Sequence, residues 1–101
     1  MNYQKNITED ELKISLSGKL GFDDSSVFRQ LITELSEDKA IRTIVFDLSE
    51  LESIDSAGLG MLLLAADTSS TEGWSMKISG ASNSVRKMIQ LTHVDQVVDV
   101  A

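Results

Sequence analysis

Residues 43–48, Thr-Ile-Val-Phe-Asp-Leu, constrain the fold of this chain more than any other stretch. They are β-branched and apolar at neighbouring positions, a composition that suits a strand covered on both faces rather than one half open to water. A strand of that kind is expected at the centre of a sheet. Its neighbours must be found elsewhere in 101 residues, a length that holds one domain with one modest core.

Periodicity supplies those neighbours. Residues 11–18, ELKISLSG, place Leu12, Ile14 and Leu16 on one face and Lys13, Ser15 and Ser17 on the other, and Gly18 ends the run. YQKNI, residues 3–7, reads as a short edge strand, with TEDE at 8–11 as the hairpin turn. Trp74, Met76 and Ile78 alternate in WSMKIS, and QVVDV at 96–100 reads as a short last strand. Helical spacing puts Val27, Leu31, Ile32 and Leu35 on a first helix over 26–36, capped by Asp24 or Ser25. A second helix is expected from about Ser56 to Thr71, stopping before Gly73. A third carries Val85, Met88, Ile89 and Leu91, capped by Asn83 or Ser84. The order is strand, strand, helix, strand, helix, strand, helix, strand. Right-handed crossovers make the later strands parallel, while the first hairpin is antiparallel. The expectation is one α/β domain over residues 1–101, a mixed sheet with helices packed mainly on one face.

Composition excludes several classes of function. The 42% hydrophobic and 25% charged fractions are those of a soluble globular chain. Sixteen acids against nine bases give a net charge of −7, spread along both halves without a basic run. Binding to nucleic acid or to an anionic membrane surface rests on positive charge, so neither is expected. With no cysteine there are no disulfides or thiolate metal sites. MNYQKNITEDEL lacks a signal-like apolar segment, and Leu59 to Ala66 is far too short to span a bilayer. A cytoplasmic protein without membrane insertion is the natural expectation.

The stretch LESIDSAGLGMLLLAA, residues 51–66, does not read as ordinary filling. Asp55 and Ser56 are both good helix N-caps, because their oxygens accept from the unpaired N–H groups of the first turn. Gly58 then costs about 1 kcal/mol relative to alanine within that turn, and Gly60 repeats the oddity. One reading makes Ser56 a cap and the glycines a means of close helix packing. The other presents the Ser56 hydroxyl for chemistry at a helix end that favours an anion. A phosphoryl group there adds about −1.5 to −2 charge, which the helix end accommodates and Asp55 repels.

Other candidate sites are weaker. A hydrolase built from Ser56, an aspartate and the single histidine, His93, fails at the nucleophile turn, where Ile54 stands in place of the required glycine. His93 is expected in an exposed loop. One histidine and scattered carboxylates do not make a metal site. Gly58-Leu59-Gly60 lacks the third glycine or the lysine of the phosphate-binding fingerprints. No catalytic residue, cofactor or metal is therefore expected. Asp23 and Asp24 read as a helix cap and its neighbour. Phe22, in the preceding turn, is either a core plug or part of an interface, and core is the expectation. Leu59, Leu62, Leu63 and Ala66 form one stripe of the second helix, with Met61, Leu64 and Ala65 round the other side. A helix apolar almost all round is hard to bury completely in so small a domain, which points to a protein–protein surface near Ser56.

FDLSELESIDSAGLGMLLLA resembles the signature of STAS domains, specifically the bacterial anti-sigma factor antagonists. That family shows an apolar strand, an Asp-Ser pair, one small residue and Gly-Leu-Gly opening a helix. LSGKLGFDDSSVFRQLI is similar to its second strand and first helix, and ASNSVRKMIQLTHVDQVVDV to its last helix and strand. The resemblance implies transcription regulation by partner switching. The unmodified protein binds an anti-sigma factor, a serine kinase with a histidine-kinase-like ATPase fold. Phosphorylation of the serine after the aspartate, here Ser56, breaks the complex, and a serine phosphatase restores it. Asp55 matches the motif's aspartate and Gly58 its first glycine. The implied partner surface comprises Asp55, Ser56, Ala57, Gly58 and Leu59 with Gly21, Phe22, Asp23 and Asp24. Three positions depart from the pattern: Gly21-Phe22 after Gly18-Lys19-Leu20, Ala57 where a second hydroxyl is common, and Asn83-Ser84 where proline is common. A rival of the same fold is a fixed subunit of a lipid-transport or sensory complex whose Ser56 is never modified.

Overall fold

The alternation read at residues 11–18 belongs to a ten-residue strand, β2 (Glu11–Leu20), in a computed structural model that describes residues 1–9, 11–38 and 40–100. Leu12, Ile14, Leu16 and Leu20 are its buried face. β1 (Asn2–Thr8) runs antiparallel beside it and is longer than the expected edge strand. Thr8 faces Glu11, so the turn is tighter than TEDE suggested; Glu9 stands at φ 54, and Asp10 lies outside the described residues. β3 (Thr43–Ile54) pairs parallel with β2, β4 (Ser75–Ser79) with β3, and β5 (Asp99–Val100) with β4. The sheet order is β1-β2-β3-β4-β5, with α1 (Ser25–Glu37), α2 (Ser56–Glu72) and α3 (Asn83–Leu91) as the crossovers. When each right-handed crossover leads to the adjacent strand, every helix falls on the same face. The expected element order and mixed sheet are both present.

One face is therefore left open, and β3 is central without being covered on both sides. Ile44, Phe46 and Leu48 are buried while Thr43, Val45 and Asp47 between them are half-buried. Val45 suits the pleat and partly shields the open face, so its side chain hid the period of two that the burial shows. The register sets Lys13 beside Val45 and Ser15 beside Asp47 on that face, with Gln4 across from Ser15. β3 also continues to Ile54, past the expected end at Leu48. Beyond Leu48 its buried residues come three apart, at Leu51 and Ile54, where the pairing with β2 shifts between Ser15 and Ser17 and again between Gly18 and Lys19. Such irregularities bend a strand and break its alternation, which is why SELESI does not read as one.

The helices are shifted in detail. α1 buries Phe28, Leu31, Ile32 and Leu35, and Val27 points away from the core. Phe28 stacks on Phe46 with ring centroids 5.9 Å apart, joining α1 to the middle of the sheet. In α3, Val85 and Ile89 are buried but Leu91 is exposed, and the N-cap position is Ser82 rather than Asn83 or Ser84. Of QVVDV only Asp99–Val100 pairs as strand, because a 3-10 turn at Val94–Gln96 takes up the start of that stretch. Trp74, Met76 and Ile78 are buried as their alternation implied.

α2 lies where it does because of one glycine. A Cβ on Gly58 would collide with the Leu20 carbonyl oxygen and come within 2.7 Å of Ile54 Cγ1. At Gly60 the same added atom meets nothing within 4 Å. The two glycines of the motif thus do different work. Gly58→Ala is expected to lower stability by about 1–3 kcal/mol through overpacking against backbone. Gly60→Ala should raise it by up to about 1 kcal/mol through helix propensity. Urea denaturation of the two variants, with the midpoints moving in opposite directions, checks the assignment.

Candidate functional site: the amino end of the second helix

β2 and β3 end side by side, with Leu20 opposite Ile54. Both chains then reverse, β2 through Gly21 into a 3-10 turn at Phe22–Asp24, and β3 through Asp55 into α2. Asp55 ties the reversals together. Its N–H donates to the Leu20 carbonyl at 3.2 Å. One carboxylate oxygen accepts the Gly58 N–H at 2.8 Å, and the other accepts the Phe22 N–H at 3.4 Å. The carboxylate occupies the space that a side chain on Gly21 would need, with Oδ2 only 2.7 Å from an added Cβ.

Asp55 is therefore the N-cap, in extended conformation, and Ser56 is the first helical residue. Of the two caps the sequence allowed, the aspartate takes the position, because its longer carboxylate can serve α2 and the neighbouring turn together. Ser56 is exposed, and its hydroxyl makes no hydrogen bond among the described residues. Helical geometry leaves the N–H groups of Ser56 and Ala57 without intrahelical acceptors. They and the positive end of the helix dipole face the same solvent as the hydroxyl.

The adjoining turn is equally well held. The Asp24 carboxylate accepts the Gly21 N–H at 2.9 Å and lies 3.0 Å from the Met1 ammonium. The Gly21 hydrogen bond, with that ammonium, holds its carboxyl below the usual range despite some desolvation. Asp24 occupies the N-cap position of α1, but its side chain closes the 3-10 turn instead of capping that helix. Phe22 is not a core plug. It is 75% exposed, because the anchored turn points its ring outward. Asp23 beside it is also exposed.

Gly21, Phe22, Asp24, Asp55 and Ser56 thus meet at one end of the sheet. Gly58 and Leu59 are buried, so their side of α2 faces inward. Phe22 borders a groove of about 580 Å³ between α1 and α2, also lined by Arg29, Ala57, Gly60, Leu63 and Leu64. The sequence reading missed Arg29 and Gly60 here. Gly60 carried a signal, since an exposed glycine one turn past the cap leaves a smooth patch beside Ser56. His93 is exposed, as expected, at φ 61 with its ring 3.4 Å from the Gln96 amide. It follows α3, which runs back from the carboxyl ends of the strands toward the start of β5, whereas Ser56 stands at the carboxyl end of β3.

A polar cluster around Asp47 lies on the open face. Asp47 accepts the Ser49 N–H at 3.1 Å and stands 3.5 Å from Ser15 Oγ and 3.6 Å from Lys13 Nζ. Burial alone pushes its carboxyl up, but the Ser49 hydrogen bonds and Lys13 together outweigh that and hold it below the usual range. Among the described residues no group of three or more His, Asp or Glu side chains could hold a metal ion, and no helix is long and apolar enough to cross a membrane.

Comparison with known proteins places this arrangement among relatives. Residues 3–99 match the family described as "Mlab, STAS domain". A STAS-domain containing protein of Pseudomonas aeruginosa is 29% identical over 91 residues, covering 90% of this chain and 88% of that protein. The anti-sigma-B factor antagonist of Bacillus subtilis is 22% identical over 93 residues, covering 92% of this chain and 84% of its own. Among solved structures, the anti-sigma factor antagonist SpoIIAA in its unphosphorylated form superposes with a TM-score of 0.76 at 21% identity, over 99% of this chain and 87% of that one. The phosphorylated form of SpoIIAA, from Bacillus, gives 0.76 at 22% identity, over 99% and 91%.

Two measurements test the site's local physics. Asp55→Ala should cost about 0.5–2 kcal/mol as a lost cap. Ser56→Ala should stay within about 0.5 kcal/mol of the parent, as an exposed substitution does. Acid titration reads the two lowered carboxyls. Both carboxyls titrate below the usual aspartate range, so the stability they contribute is complete above that range and is lost as pH falls through the lowered folded values. The double variant Asp24→Asn, Asp47→Asn should therefore lose less stability than the parent between about pH 5 and about pH 2.

Proposed function

The chain belongs to the STAS domain family, and from that premise we propose that it acts as an anti-sigma factor antagonist in a partner-switching pathway. Its unmodified form binds an anti-sigma factor that is also a serine kinase, of the histidine-kinase-like ATPase fold. Transfer of a phosphoryl group to Ser56 releases that partner, and a serine phosphatase restores binding. The protein is a binding module in the cytoplasm and catalyses no reaction itself. The names of its relatives support the antagonist role, and SpoIIAA exists in a phosphorylated form.

One observation carries the switch: the Ser56 hydroxyl is exposed and uncommitted while Asp55 does the capping. The hydroxyl can thus be modified without removing an acceptor that the helix needs. A phosphoryl group of about −1.5 to −2 charge would stand beside the unpaired N–H groups of the first turn. The fold would tolerate it. A partner seated on Phe22, Asp23, Asp24 and the start of α2 would have to desolvate it, next to the acids already there. A buried charge without its own counter-charge costs several kcal/mol, enough to dissolve an interface of moderate affinity. Hydrolysis is disfavoured by position, since Ser56 and His93 lie toward opposite ends of the strands.

The discriminating experiment measures binding of the kinase partner to two variants. Ser56→Ala should bind as the parent does. Ser56→Asp should bind at least about tenfold more weakly while remaining as stable as the parent or slightly more so, since its charge suits the helix end. Equal capture of both variants would overturn the switch and leave the fixed-subunit reading. Intact mass of the protein from its own cells gives the same decision independently, because only the switch adds one phosphoryl group to Ser56.

A further inference from the structure

The outer side of α2 continues past the Ser56 site in a way that the switch does not use. Gly60, Leu63, Asp67 and Ser70 follow one another along its exposed ridge at spacings of three and four residues. A second groove, of about 430 Å³, flanks that ridge on the side away from α1. It is lined by Leu63, Ala66, Asp67, Ser70 and Val97. Leu63 is 41% exposed and Val97 is 64% exposed, and together they line one groove. Leu63 and Asp67 line both grooves, so the two form one continuous surface across the ridge.

We propose that the distal half of α2 is a docking surface for a basic amphipathic helix of a protein partner, one that engages whether or not Ser56 carries a phosphoryl group. Charge selects the occupant. Asp67 is the one charged residue in the distal groove, and its carboxylate has no ion pair among the described residues. A lysine or arginine beside an apolar anchor would satisfy it. A second copy of the chain is a poor occupant, because a symmetric contact brings two Asp67 carboxylates and two chains of net charge −7 together. A helix fits this groove, because its apolar side can lie against Leu63, Ala66 and Val97 while its own backbone hydrogen bonds stay made.

Independence from the switch follows from distance. At 1.5 Å per residue, Leu63 lies about 10 Å and Asp67 about 16 Å along the helix axis from Ser56. Charges in solvent are screened over about 8 Å at physiological ionic strength. A partner held here would keep the protein in reach in both of its states.

The test uses a helical peptide with leucines on one face and lysines on the other, titrated into the isotope-labelled protein. Its glutamate counterpart and a scrambled peptide of the same composition serve as controls. Shift changes should centre on Leu63, Ala66, Ser70 and Val97. Leu63→Gln with Val97→Thr, both on the surface and checked for folding by circular dichroism, should weaken binding at least about tenfold. Asp67→Asn should weaken it and flatten its salt dependence. Ser56→Asp should leave it within about twofold, whatever the fate of the Ser56 switch. Equal binding of the scrambled or glutamate peptide, shifts centred on Ser56 or the open sheet face, or dimerisation through Leu63 would each overturn the proposal.

Discussion

The Asp55 carboxylate is the interaction on which the arrangement at this end of the molecule depends. It accepts from the Gly58 and Phe22 N–H groups at once, and so fixes the start of α2 against the turn that follows β2. Two glycines far apart in sequence make this junction possible. Gly21 gives the carboxylate room, and Gly58 lets the helix backbone rest on the Leu20 carbonyl. The helix cost of a glycine in a first turn is thereby explained by packing. The same junction turns Phe22 outward on a short, rigid support. An exposed aromatic ring that loses little freedom on binding is a good anchor for a partner.

Downstream of this junction, α2 must both close the core and offer a surface. Leu59, Met61, Leu62 and Ala65 seal it onto the sheet. Because apolar residues run round the remaining circumference too, the outward side presents Leu63 and the half-buried Leu64 and Ala66 between small residues. The sheet beneath contributes stiffness, through Phe46 stacked on Phe28 and the long β3 that carries the chain directly to Asp55. The open face of that sheet is dominated by serine, threonine and amide side chains around the Asp47 cluster. It is solvated without strain, which is how a one-sided sheet remains stable.

Element order and type were legible in the sequence because three helices and most strands keep their proper periods. Leu12, Ile14 and Leu16 alternate, and Val85 and Ile89 sit one turn apart, as their burial requires. What was not legible fails for particular reasons. Val45 disguised a half-open strand as a covered one, and irregular pairing beyond Leu48 erased the alternation of SELESI. Phe28, not Val27, completes the i, i+3, i+4, i+7 stripe with Leu31, Ile32 and Leu35, so the spacing itself held the answer that the choice of Val27 missed; Phe28 also stacks on Phe46. Phe22 was misjudged because apolar character speaks for burial, while the hydrogen bonds that hold its turn come from Asp24 and the distant Asp55. The Asp-Ser-x-Gly motif was legible as a helix start, but not which of its two polar residues caps.

That last distinction bears on how the proposed switch can work at all. Suppose Ser56 were the cap. Its hydroxyl would then accept from a first-turn N–H, and phosphorylation would rebuild the start of α2, tying the signal to the stability of the domain. With Asp55 as cap, the acceptor that the helix needs and the hydroxyl that chemistry can reach belong to adjacent but different residues. A phosphoryl group then alters charge and hydration at the surface, while the bonds joining α2 to the β2 turn stay intact. On the proposed reading, modification and its reversal would not pass through a destabilised state. The two proposed forms would differ in what a partner must desolvate, and a charge at the rim of a small interface is sufficient to decide that.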